Sequence, residues 1–284
     1  MRHYRGRMDT WELWNEPNAQ SFFSGTPEDY AALVKAAYPA AKRGNPDCLV
    51  MGLSLAGIGD KPLEFAEAAM KAGVLDGLDA ISFHPYQAAP PEAQMPERIQ
   101  QLRALARRYG RDLPLVNSEV GWQGTDVFDP GQPYFPQEKL QPPWDEQVQA
   151  DVLVRSYVLC LAHGVTRYYW HKWFEERGDV GPDLHGLIRA DWQRSPKAAV
   201  AAFNALIERL DRHAYDKRLG AADPAVHAYL FRREATTTLV AWVAEGEATL
   251  DGVRGQVFDV YGNALSAVDG ALPLTPSPVY VIGR

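Results

Sequence analysis

Along the first 212 positions, short runs of aliphatic and β-branched residues alternate with longer stretches in which apolar residues return every three or four positions. The short runs predict strands at 8–14, 49–55, 80–84, 113–118 and 166–170. The longer stretches predict helices near 27–43, 62–72, 97–109, 146–162 and 195–211. Start signals reinforce two of them. Thr26-Pro27-Glu28-Asp29 supplies an N-cap, a first-turn proline and acidic residues for the helix dipole, and Ser195-Pro196 repeats the device. Strands alternating with helices imply βαβ units and a parallel sheet. After position 212 the period shortens, with alternating segments at 225–232, 237–244, 256–260 and 279–282 and turns such as Tyr261-Gly262-Asn263 and Val268-Asp269-Gly270. Two domains follow from this change: a βα domain over 1–212 and a small antiparallel, sandwich-like β module over 213–284. One long non-periodic segment, 121–145, carries Trp122, Phe128, Tyr134, Phe135 and Trp144. A loop of that length inside a compact domain is usually functional.

Composition narrows the classes of partner. The 284 residues are 46% hydrophobic and 23% charged, as in ordinary globular chains. The net charge of -7, with no block of basic residues, argues against nucleic acid or an anionic membrane surface as ligand. No apolar run reaches the 18 or more residues of a membrane span. Cys48 and Cys160 each sit in apolar surroundings and read as buried thiols. Neither a His-Glu-x-x-His nor a paired Cys-x-x-Cys pattern is present, and Gly52, Gly57 and Gly59 match no nucleotide-binding fingerprint. No metal and no cofactor is expected. Those glycines read as a tight strand-to-helix connection.

Two carboxylates stand out. Trp11-Glu12-Leu13-Trp14-Asn15-Glu16-Pro17-Asn18 ends the first strand, and period-two alternation puts Glu12, Trp14 and Glu16 on one face, with Pro17 stopping the pairing. Leu113-Pro114-Leu115-Val116-Asn117-Ser118-Glu119-Val120-Gly121-Trp122 ends the fourth strand in the same way. In parallel α/β folds the carboxyl ends of strands carry function. A pair of carboxylates flanked by tryptophans suits glycoside hydrolysis, which needs a proton donor, a nucleophile and flat apolar surfaces for sugar rings. Glu12 lies deeper on the same face and is expected to hold a cationic partner in a structural ion pair.

With these motifs in place, the sequence resembles the retaining glycoside hydrolases of clan A, nearest to the family 39-like branch, whose (β/α)8 barrels carry Asn-Glu-Pro after strand four and a nucleophilic Glu after strand seven. Ile81-Ser82-Phe83-His84-Pro85-Tyr86 looks like strand six, and Arg167-Tyr168-Tyr169-Trp170-His171 looks like strand eight with its sugar-stacking Trp. His185-Gly186-Leu187-Ile188 and Ser195-Pro196-Lys197-Ala198 resemble the entry into the last helix, and the terminal module resembles the appended domain of family 39-like members. The resemblance implies a TIM barrel of which only strands four to eight are present, the missing units amounting to on the order of 100 residues, followed by the small antiparallel β domain. It implies Glu119 as nucleophile and Glu16 as acid and then base, with Asn15 on the sugar 2-hydroxyl. His84, Tyr86 and Trp170 are implied as further substrate-binding residues, and Trp122, in the aromatic loop beside Glu119, is a candidate on its position in the sequence. The expected partner is an oligo- or polysaccharide with β-linked sugars. A truncated, inactive remnant that binds carbohydrate is the alternative, and a lipase-like hydrolase is disfavoured because no Gly-x-Ser-x-Gly elbow occurs.

Overall fold

A computed structural model describes residues 1–86, 90–124, 145–178 and 181–283. The chain divides into two compact units, one of Met1–Ala89, Ala93–Val120 and His163–Trp170, the other of Pro90–Glu92, Gly121–Ala162 and His171–Arg284.

The first unit holds five strands, β1 (Thr10–Glu12), β2 (Leu49–Ala56), β3 (Ala80–His84), β4 (Leu115–Val120) and β5 (Val165–Trp170). They form one sheet in the order β1-β2-β3-β4-β5, every neighbouring pair parallel. The connections run through α1 (Pro27–Gly44), α2 (Asp60–Lys71), α3 (Pro91–Arg108) and α4 (Glu146–Ala162). Side chains of non-adjacent strands meet on one face of the sheet. Arg167 of β5 donates to the Thr10 hydroxyl of β1 at 2.6 Å, and Ser118 of β4 donates to Glu12 of β1 at 2.7 Å. Such contacts require a sheet that curls on itself, as part of a (β/α)8 barrel does. Tyr30, Ala31, Val34 and Ala41 are the buried residues of α1, and the strongly apolar β2 and β3 are buried along nearly their whole length.

The expected N-cap forms at the start of α1, and it does so as a capping box. Thr26 Oγ1 accepts from the Asp29 N–H at 3.2 Å, and Asp29 Oδ2 accepts from the Thr26 N–H at 2.9 Å. The second device does not form: Lys197 occupies the N-cap position of α5 (Ala198–Leu210) with no side-chain capping bond, while Ser195 turns back to hydrogen-bond Asp191. Glu12 also departs from expectation. Its partner is the Ser118 hydroxyl, and among the described residues it makes no ion pair. Glu12 is half-buried and hydrogen-bonded, so no cation is required.

In the second unit a short hairpin, β6 (Glu176–Gly178) with β7 (Gly181–Asp183), precedes α5. Then β8 (Ala214–Arg218), β9 (Val226–Arg233), β10 (Thr236–Val243), β11 (Ala248–Phe258), β12 (Val268–Leu274) and β13 (Val279–Gly283) form an antiparallel sheet ordered β12-β11-β13-β10-β9-β8. The two strands unforeseen in the sequence, β8 and β12, are its edges. Every residue of β8 is exposed, so it has no alternating pattern, and β12 contains Gly270 and Pro273, which an edge tolerates. Glu92 is buried between two partners within this unit: Arg155 of α4 makes a bidentate pair with it at 2.6 and 2.7 Å, and the Trp242 indole N–H donates to it at 2.8 Å. Cys48 and Cys160 are buried free thiols.

Candidate active site

The site is built where β1 ends. Beyond Glu12 the chain leaves the extended conformation, with Trp14 at φ 72° and Glu16 at φ 45°. Two left-handed residues abolish the two-residue alternation, so Trp14 does not share a face with Glu12 and Glu16 as expected. Trp14 is 49% exposed, its indole N–H donates to the Phe22 carbonyl at 3.0 Å, and its ring meets Phe23 edge-on. Left-handed backbone in residues other than glycine needs external support. Here Asn18 supplies it, donating to the Ala56 carbonyl at 3.1 Å and accepting from the Ala56 N–H at 2.8 Å, which ties the turn to the end of β2.

A second irregularity lies beside the first. In β2, Leu53 (φ 76°) and Ser54 (φ 40°) form a bulge, and the β2–β3 register shifts between Gly52 and Leu55. The Tyr30 hydroxyl joins the two segments, donating to the Leu13 carbonyl and accepting from the Leu53 N–H, each at 2.9 Å. Burial pushes that phenol well above its ordinary range, so it stays a neutral donor. Gly52 makes room for it: a Cβ there would lie 2.8 Å from the Tyr30 hydroxyl and 2.9 Å from Leu78. Gly52 thus serves close packing within a strand, whereas Gly57, at φ 79°, serves the connection that follows.

Three side chains converge beside these segments. His84, the last residue of β3, is fully buried. Its Nδ1 lies 2.9 Å from Glu16 Oε1 and 4.0 Å from Glu119 Oε2, and its Nε2 lies 3.2 Å from Ser54 Oγ. Glu119, the fifth residue of β4, accepts from the Tyr86 hydroxyl at 3.0 Å. One donor atom each of Glu16, His84 and Glu119 lie within 4.8 Å of one another. Two carboxylates and an imidazole at that spacing could embrace a cation. However, both imidazole nitrogens already have hydrogen-bonding partners, which suits an acid–base site better than a metal centre.

Asn15 is half-buried and its side chain makes no hydrogen bond among the described residues, so its amide is free for a ligand. Trp170 is half-buried and pairs in register with Val120, one residue beyond Glu119. The structure therefore brings Glu16, Asn15, His84, Tyr86, Glu119 and Trp170 into one unit, at the carboxyl ends of its strands. Trp122 belongs to the other unit and is 5% exposed, which leaves almost none of its ring for stacking on a sugar. Residues 125–144 of the aromatic loop, with Trp144, lie outside the described residues. Ser54, Asn18 and Tyr30 were not foreseen as parts of the site. Of these only Asn18, beside the Asn-Glu-Pro motif, stood near a signal.

Comparison with solved structures gives the fold. A family 39 glycoside hydrolase from the gut symbiont Bacteroides cellulosilyticus superposes with a TM-score of 0.77 at 24% identity, over 100% of this chain and 59% of that one. The chain has the fold of the clan A glycoside hydrolases. A family 51 α-L-arabinofuranosidase from Bifidobacterium longum (TM-score 0.66, 15% identity, 96% of this chain and 67% of that) and a family 30 endoxylanase from Clostridium papyrosolvens (0.63, 12%, 97% and 65%) share it. The chain thus spans about three fifths of the length of the family 39 enzyme. No family model matches the sequence, and no curated protein matches it.

Proposed function

We propose that the chain carries the catalytic centre of a retaining glycoside hydrolase acting on β-linked sugars of an oligo- or polysaccharide, its five parallel strands corresponding to strands four to eight of the barrel. The approach of one oxygen each of Glu16 and Glu119 to within 4.8 Å carries this reading, because it lies nearer the roughly 5 to 5.5 Å carboxyl spacing of retaining enzymes than the roughly 6.5 to 9.5 Å of inverting ones. Glu119 attacks the anomeric carbon and forms an ester while the glycosidic C–O bond breaks. Glu16 gives its proton to the leaving oxygen. Water then attacks the same carbon, Glu16 takes the water's proton, and the Glu119 carboxylate is released. Tyr86 orients the nucleophile, Asn15 is placed to hydrogen-bond the sugar, and Trp170 offers an aromatic face.

Replacing Glu119 by Gly is expected to abolish turnover of aryl β-glycosides, with azide restoring it as the glycosyl azide. Undiminished turnover without azide refutes the assignment. The open edges of the parallel sheet, where β1 and β5 each pair on one side only among the described residues, favour the second reading of a carbohydrate-binding remnant. Binding of oligosaccharide by a cooperatively folded chain, with no turnover of any aryl glycoside, would select it.

A further inference from the structure

We propose that Ser54 is a positioning residue that locks His84 in the Nδ1–H tautomer, commits Glu16 Oε1 to accept from it, and thereby leaves the transferable proton of Glu16 on Oε2. The assignment rests on the acid–base role given to Glu16 above, and it follows from a complete count of buried donors. Ser54, Ser82 and His84 are all fully buried, so each N–H and O–H needs a partner. The Ser82 hydroxyl donates to the Gly52 carbonyl at 3.1 Å and accepts from the Ser54 N–H at 3.1 Å. The Ser54 hydroxyl then has one partner among the described residues, His84 Nε2 at 3.2 Å. Were Nε2 protonated, two hydrogens would face each other or the buried Ser54 hydroxyl would be left without an acceptor among the described residues, which costs about 1–3 kcal/mol. With Nε2 as acceptor, the ring's one hydrogen sits on Nδ1, 2.9 Å from Glu16 Oε1. Every group in the chain Gly52–Ser82–Ser54–His84–Glu16 is satisfied in this single arrangement.

Backbone geometry supports the same role. Ser54 reaches His84 only because Leu53 and Ser54 adopt left-handed conformations that reorient the strand, and Tyr30 and Ser82 hold the bulge through the two N–H groups it frees. A bulge held at both residues, whose one free hydroxyl lands on an imidazole nitrogen, directs the proton toward Glu16.

The test uses the full chain labelled with 15N-histidine and long-range 1H–15N correlation at neutral pH, the His84 signals being assigned by their loss in His84→Gln. The expected wild-type pattern is a protonated-type Nδ1 and an acceptor-type Nε2. In Ser54→Ala the ratio of the two tautomers should move toward unity by roughly tenfold, whereas Glu16→Gln, which keeps an acceptor oxygen, should leave the wild-type tautomer in place. An Nε2–H or doubly protonated ring in the wild type overturns the proposal, as does a tautomer that survives Ser54→Ala but is lost in Glu16→Gln. If Ser54→Ala does not fold, the wild-type and Glu16→Gln spectra still decide. Turnover gives a separate readout: Ser54→Ala should lower kcat about tenfold for glycosides with poor leaving groups and hardly at all for dinitrophenyl glycosides, with KM unchanged. The spectra need no substrate, so absent turnover would count against the glycosidase reading and leave the tautomer assignment standing.

Discussion

Asp151 gives a prediction that can be worked through in energy without any assumption about substrate. It lies in α4, is 6% exposed, and its Oδ1 accepts from the Ser277 hydroxyl at 2.8 Å and from Gln147 Nε2 at 2.9 Å. Burial pushes the carboxyl up from 3.8 to about 6, and this outweighs the two hydrogen bonds and nearby Arg155, which act in the opposite direction. The folded state therefore prefers the protonated acid. Its stabilising contribution is complete below the unfolded value near 3.8 and is lost as the pH rises through 6. A shift of two units corresponds to about 3 kcal/mol. Asp151→Asn retains an acceptor oxygen and removes the charge. The variant is expected to match the wild type near pH 3.5 and to exceed it by up to about 3 kcal/mol at pH 8, which for a chain of this size is on the order of 6–12 °C in Tm. Urea unfolding followed by circular dichroism at intervals across that range, with m held constant, reads the difference directly. A variant-minus-wild-type difference that does not grow with pH refutes the reasoning. His227 makes the opposite contribution over nearly the same window. Stacked on Trp242 at 5.3 Å, it is pushed down by burial from 6.5 to about 4, so stability is lost as the pH falls through that interval. The two slopes offset each other in the wild type, and His227→Gln should expose the decline caused by Asp151.

Other outcomes follow from the site itself. Tyr86→Phe removes the 3.0 Å hydrogen bond to Glu119, and a bond to a charged acceptor of about 1.5–3 kcal/mol implies a roughly 10- to 150-fold loss in kcat/KM on aryl glycosides; a loss under threefold would deny Tyr86 its orienting role. Gly52→Ala drives a methyl group into Tyr30 and Leu78 and should destabilise the fold by about 1–3 kcal/mol, seen as a lower urea midpoint, whereas an unchanged midpoint would show that the bulge yields. Asn18→Ala removes both hydrogen bonds to Ala56 and should slow turnover without a matching fall in Tm, since it frees the turn that carries Glu16 and leaves the core intact; equal loss of both would make Asn18 a purely structural clamp.

The parts of the molecule legible in the sequence are those set by local chemistry. Strands β2 to β5 and helices α1 and α4 lie where periodicity places them, because the return of apolar residues every two or every three to four positions is a property of the element and needs no distant partner. For the same reason Glu16 and Glu119 could be placed at strand ends from the residues around them. Local pattern does not encode the neighbours across the sheet. Ser54 reads as one more small residue in an apolar strand until His84, 30 positions later, arrives at its hydroxyl. Trp14 leaves its expected face because Asn18 and Tyr30 hold the chain in left-handed conformations that its own propensity would refuse, and Glu12 does without a cation because a serine 106 positions away supplies the hydrogen bond. The sequence by itself determined the alternation of strands and helices through β5 and the two carboxylates that follow or end its first and fourth strands. Only the tertiary structure decided which oxygen meets which nitrogen, because those contacts are made between strands and rest on the curl of the sheet.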